Sequence, residues 1–220
     1  MNLYRDLKKR SLLLCLPISL LLFAIFAVYT PAAVAMMSEG GFASAFPMIM
    51  MSWPWGIWGV YRIVYALCGG YQRRVRKYVA GAPNPAETLA ALEEAYQKAE
   101  PLKHLRLYGA WAFLQKGPAT HLYEIDQILW VYQLNKSVRH LFFTTTRHYL
   151  VIGLASGARL QIHMSKKERH QCMNAFAAVP TVVRGYRESL SSLFQHDVAQ
   201  FMRLARSGQL QKDVVPDYEE

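Results

Sequence analysis

The sequence is short of cysteine, short of acid and, over two long stretches, empty of charge. Only Cys15, Cys68 and Cys172 occur in 220 residues, and no two form a CxxC pair. So few thiols exclude a disulfide framework and a multi-thiolate zinc site, and fit a reducing compartment. Acidic residues number 15 against 25 Lys and Arg, a formal net charge of +10 at pH 7. No nucleic-acid recognition motif accompanies that excess, so nucleic acid is set aside as a partner. A Gly-rich phosphate loop, GxSxG, HExxH and the protein-kinase signatures are all missing, as are internal repeats and low-complexity tracts.

The missing charge carries the most information. Leu12 to Ala35 holds no charged residue, and Phe42 to Gly70 holds one, Arg62. Each run exceeds the roughly 18–20 residues that cross a hydrocarbon core. Residues 1–70 therefore read as a two-span transmembrane hairpin, with spans at about 12–35 and 43–68. Ala33-Val34-Ala35 resembles a signal-cleavage site. The apolar stretch before it outruns the roughly 7–15 residues of a secretory signal, so an uncleaved anchor is expected. Arg5, Lys8, Lys9 and Arg10 flank the first run, and Arg73, Arg74, Arg76 and Lys77 follow the second. The short connection near Met36–Gly41 carries Glu39 and no Lys or Arg. The positive-inside rule then places both termini of this multi-pass protein in the cytoplasm.

Within the second run, "SWPWGIWGVYR" (52–62) sets three tryptophans beside a proline and an arginine. Trp58 and Tyr61 suit the membrane interface, and Arg62 can snorkel to the cytoplasmic headgroups. Pro54 predicts a kink, while Gly56 and Gly59 allow the first span to approach closely. These two glycines and Arg62 are the candidate transmembrane packing residues. A sharper alternative makes Arg62 part of an intramembrane site.

Residues 71–84 read as a basic juxtamembrane linker, 85–206 as one cytoplasmic domain and 207–220 as a flexible acidic tail. Asn84, Pro85 and Glu87 form a capping-box start to a helix that carries Leu89, Leu92 and Tyr96 on one face. From Leu105 the apolar period becomes two, and about six strands follow: one from Leu105, then "THLYEI", "QILWVYQL", "RHLFFTTT", "HYLVIGLA" and "RLQIHM". Lys116-Gly117-Pro118 and Ser156-Gly157 mark turns. Trp130, Tyr132 and Leu134 share one strand face. Ser165 to Glu168 is a second capping box, opening a helix with Cys172, Met173, Phe176 and Val179. A last helix groups Leu190, Leu193, Phe194, Val198, Phe201 and Met202.

Asp126, Ile128, Trp130 and Tyr132, the step from strand to capped helix at Ser165, and Gly185-Tyr186 resemble an uncharacterised bacterial membrane protein family. That family has two N-terminal spans and a cytoplasmic pleckstrin-homology-like (PH-like) domain, which implies a place in the bacterial inner membrane. The resemblance implies a membrane-anchored α+β fold, with a PH-like antiparallel β-sheet or barrel and flanking helices. It implies no catalytic residues. PH-like domains in general bind lipids, peptides or proteins, so the fold alone does not give the function.

The chemistry that remains is basic. Twenty Lys and Arg stand against thirteen Asp and Glu from Tyr71 onward. Arg73, Arg74, Arg76 and Lys77 lie where an anionic inner leaflet contributes about 1 kcal/mol per charge. Lys166, Lys167 and Arg169, with Arg159 nearby, form a second basic region for a lipid or an acidic partner. His104, His121, His140, His148, His163 and His170 lack helical i,i+4 spacing and pair with no Cys, so no metal and no cofactor are expected. Glu124 and Asp126 would share a face on a continuous strand, and with His121 they are the one arrangement suited to acid–base catalysis. The expectation is a non-enzymatic, membrane-tethered interaction module that engages lipid, a protein partner or a second copy of itself. The alternative is a subunit of a transporter or envelope complex, in which the spans do the specific work.

Overall fold

The computed structural model describes residues 3–139, 144–210 and 218–219. They fall into two compact units. One comprises the chain up to Pro83 with Gly117–Thr120, and the other comprises Asn84–Lys116 with the chain from His121.

The first unit is helical. Helix α1 (Leu3–Leu67) leaves helical dihedrals at Gly41, with φ 74° and ψ −179°. Only glycine takes this backbone region at low cost, so the chain needs one residue where the sequence predicted a loop of about six. Pro54 keeps helical dihedrals, and the break at Gly41 falls within the connection expected near Met36–Gly41. The segments before and after Gly41 touch: Trp53 meets Phe26 edge-on at 6.2 Å between ring centroids. Among the described residues one helix, Leu3–Ala43, is long and apolar enough to cross a membrane, with a mean hydropathy of 2.7 over an 18-residue stretch. The segment beyond Gly41 falls short of that standard. Its tryptophans, glycines, prolines and Arg62 dilute the aliphatic content. A turn at Gly70–Gln72 leads into α2 (Arg73–Ala80), where Val75 and Val79 are buried and the four basic side chains are exposed.

The second unit is α+β. Helix α3 (Pro85–Lys98) precedes a three-stranded sheet of β1 (Leu105–Tyr108), β2 (Trp111–Lys116) and β3 (Ala119–Glu124). A second sheet contains β4 (Ile128–Arg139), β5 (Thr144–Leu154) and β6 (Arg159–His163), paired antiparallel. Then come α4 (Lys166–Ala177), β7 (Val183–Arg184), α5 (Glu188–His196), α6 (Val198–Arg206) and β8 (Tyr218–Glu219). Both β7 and β8 run parallel to β4.

No barrel closes among the described residues, contrary to one form of the expected fold. The one-turn helix Ile125–Gln127 separates β3 from β4, and the edge of β4 opposite β5 is taken by β7 and β8. The expected strand "RHLFFTTT" is divided. Arg139 ends β4, Thr144 opens β5 opposite it, and 140–143 lie outside the described residues. The expected last helix is two helices, because Asp197 takes φ −146° and ψ 84° and caps α6 by accepting from Gln200 N at 2.8 Å. Most of the tail expected at 207–220 lies outside the described residues, but Tyr218 and Glu219 pair with β4.

Two cores flank the second sheet. Ile128, Val131, Leu150, Ile152 and Ile162 join Cys172, Met173 and Phe176 of α4 in one. Leu129, Trp130, Tyr132 and Leu134 join Leu190, Phe194 and Phe201 of α5 and α6 in the other. A bulge between Ile128 and Trp130 lets these two residues, two apart in sequence, serve opposite faces. Gly153 is a packing glycine, since a Cβ there would stand 3.0 Å from the Phe194 ring.

Candidate functional site

In the helical unit the exposed basic face of α2 presents Arg73, Arg74, Arg76 and Lys77. Arg76 also lies over the Tyr4 ring at 5.5 Å, so α2 is tied back to the start of α1. The buried Gln72 donates from Nε2 to Ser11 Oγ at 2.7 Å, a second tie between the same regions. Gly56 and Gly59 face the earlier part of α1. A Cβ at Gly56 would fall 2.7 Å from the Phe26 ring, and one at Gly59 would fall 3.2 Å from the Ser19 carbonyl oxygen. The close approach expected of these glycines therefore occurs within the chain. Arg62 is half-buried, with Nη2 4.0 Å from Cys15 Sγ.

In the α+β unit the second basic region divides. Lys166 and Lys167 are exposed at the start of α4. Arg169, expected beside them on the surface, is fully buried. Its Nη1 donates to Asn135 Oδ1 at 2.5 Å and to the Leu134 carbonyl at 3.4 Å. His148 Nδ1 meets the same Asn135 oxygen at 2.7 Å. The physical reason is helical spacing: Arg169, Cys172, Met173 and Phe176 sit at i, i+3, i+4 and i+7, so the arginine belongs to the inward stripe of α4. That spacing was the available signal. Asn135 and His148 were missed as a pair because cross-strand register is not readable from either strand alone.

The α4 N-terminus is built as its sequence predicts. Ser165 Oγ accepts from Glu168 N at 3.3 Å, and Ser165 N donates to Glu168 Oε2 at 3.0 Å. Lys103 Nζ stands 2.9 Å from Glu168 Oε1. The lysine contact and the backbone donor hold the Glu168 carboxyl down to about 2, against an ordinary value near 4.5. A carboxyl lowered in the fold adds stability above its unfolded value and loses it as pH falls toward the folded one. Unfolding measured from pH 5 to pH 2 should therefore show a loss of stability that Glu168→Gln lacks. At neutral pH the same substitution should cost about 1 kcal/mol, because glutamine keeps the capping box but exchanges charge-assisted contacts to Lys103 and Ser165 N for neutral ones.

The acid–base arrangement was expected on one continuous strand. The turn Ile125–Gln127 breaks the strand, so Glu124 and Asp126 share no strand face. His121 stacks on Tyr123, with 6.4 Å between ring centroids. A cleft of about 640 Å3 is lined by Leu102, Leu107, Val179, Gln171, Asn174 and by Ile125, the residue between those two carboxylates in sequence. Burial pushes the Cys172 thiol up to about 12, which keeps it protonated and unreactive at neutral pH. Among the described residues no three His, Cys, Asp or Glu cluster to hold a metal ion.

A family model, Domain of unknown function (DUF6709), matches residues 69–194, from the turn before α2 through most of α5. More than half of the chain is covered, and the chain belongs to this family. No curated protein and no solved structure matches it.

Proposed function

Taking membership of that family as the premise, we propose that this protein is a non-catalytic interaction module tethered at the cytoplasmic face of a bacterial inner membrane. Both segments of α1 cross the bilayer in this reading. The α+β unit then holds a protein partner at the membrane, while α2 meets anionic headgroups. The observation that carries it is the sequence of surfaces: long apolar helical segments lead directly into α2, whose four exposed cations face away from buried Val75 and Val79. Exposed Leu13, Leu21, Val28, Met51 and Ile57 along α1 support lipid contact. Two sheets followed by helices also suit the PH-like comparison.

A complex subunit working through its spans is the second reading. The exposed tryptophans Trp53, Trp55 and Trp58 favour it, because they leave an aromatic surface on the helical unit. Gly56 and Gly59 do not favour it, since their close contacts lie within the chain.

The test is crosslinking in the native membrane, followed by gentle extraction and mass spectrometry. Crosslinks from residues 105–206 to one protein in stoichiometric amount are the expected result. Crosslinks confined to 3–67 would transfer the function to the spans.

A further inference from the structure

We infer that the edge of β4 opposite β5 is a strand-accepting surface for extended acidic segments, with Tyr218–Glu219 as its resident occupant. On one side β4 pairs with β5 from Ile128 to Arg139. On the other side β7 covers only Trp130 and Val131. Beyond them the pairing on that side is with β8, at Leu134↔Tyr218 and Asn135↔Glu219. A strand edge of this length is a template for an added strand, with main-chain bonds supplying affinity and nearby side chains supplying selectivity.

The selectivity here is cationic. Leu134 and Asn135, the two residues that receive β8, are the same two that Arg169 grips from beneath with its buried guanidinium. A buried cation raises the value of a carboxylate arriving at that register. Further along, Lys136 stands directly across from Arg147, and Arg139 ends the strand. Like charges directly opposite repel, and a nearby anion relieves them. In sequence, Tyr218–Glu219 lies between Asp217 and Glu220, so three acids surround one aromatic. Charge and register thus agree on one kind of occupant.

The inference rests on the interaction-module reading and gives its partner a chemistry: an extended segment with carboxylates beside an aromatic ring. Such a partner competes with β8 for Leu134 and Asn135.

The test uses the full chain in lipid nanodiscs, beside a variant ending at Leu210 and an intact-length variant with Asp217→Lys, Glu219→Lys and Glu220→Lys. The probe is a fluorescent peptide of residues 211–220. It should bind either variant at least tenfold more tightly than it binds the parent, and less tightly as salt rises. A peptide with the same three charge reversals should not bind. Amide exchange over 132–138 should be at least tenfold faster in the reversed variant than in the parent. Equal peptide binding by parent and variants, binding of the reversed peptide, or unchanged exchange would each overturn the inference. The native-membrane crosslinks to residues 105–206 would survive that failure, so the two proposals fall separately.

Discussion

Replacing Trp130 with alanine should cost about 3–5 kcal/mol, the range for emptying a large aromatic site in a core. That is a large part of the roughly 5–15 kcal/mol that holds a domain folded. Trp130 is fully buried. Its ring lies 4.3 Å from Tyr132, 5.6 Å from Phe194, 5.7 Å from Phe201 and 5.9 Å from Tyr186, centroid to centroid. The Arg159 guanidinium stands 5.5 Å from its centroid. Its Nε1 donates to the Gly185 carbonyl at 2.7 Å, tying β4 to the loop after β7. Phenylalanine separates these contributions. It keeps most of the ring contacts and removes the N–H, leaving a buried carbonyl short of a donor at a cost of about 1–3 kcal/mol. Urea denaturation followed by far-ultraviolet circular dichroism should rank parent, Trp130→Phe and Trp130→Ala in falling order. Equal midpoints for the parent and the alanine variant would refute this account of the core.

The same cluster explains what the sequence resemblance detected. Ile128, Trp130, Tyr132 and Tyr186 are packing residues on the two faces of one strand and a neighbouring loop. They pack the core, and all four fall within the stretch that the family model matches. Local signals were readable because their physics is local. The Ser165 capping box forms as spelled, with both hydrogen bonds. Ser156-Gly157 turns β5 into β6, with Gly157 at φ 80°. At Asn84 the helix starts as expected, but the side chain turns to Glu87 Oε2 at 2.8 Å instead of capping a backbone amide. Competing side-chain partners of this kind are invisible in a motif.

What resisted reading depends on pairing between distant segments. Separation of the two sheets turns on three residues, Ile125–Gln127, that an alternation count passes over. The parallel additions of β7 and β8 join residues more than fifty positions apart. Charge was the most misleading guide. Lys166, Lys167 and Arg169 look like one patch in sequence, yet α4 turns two outward and one inward. Composition counted three cations, and only helical periodicity could have told them apart.

Arg169 is where the second large effect is expected. Arg169→Ala removes a long buried side chain and takes donors from Asn135 Oδ1 and the Leu134 carbonyl. The cavity and the lost hydrogen bonds together should cost about 2–5 kcal/mol, read as a lower denaturation midpoint. Arg169→Met should cost much less. It fills most of the volume and removes the penalty of holding a cation away from water, while His148 still meets Asn135 Oδ1. Arg169→Lys keeps the charge and gives up the planar fork, so it should fall between the two. If the methionine variant matches the alanine variant in stability, the guanidinium is holding the sheet to α4. If it matches the parent in stability, yet its edge no longer takes the 211–220 peptide when the resident stretch is truncated, the fold does not need the charge. The arginine then serves recognition at the β4 edge, from a position that sequence order alone had placed on the surface.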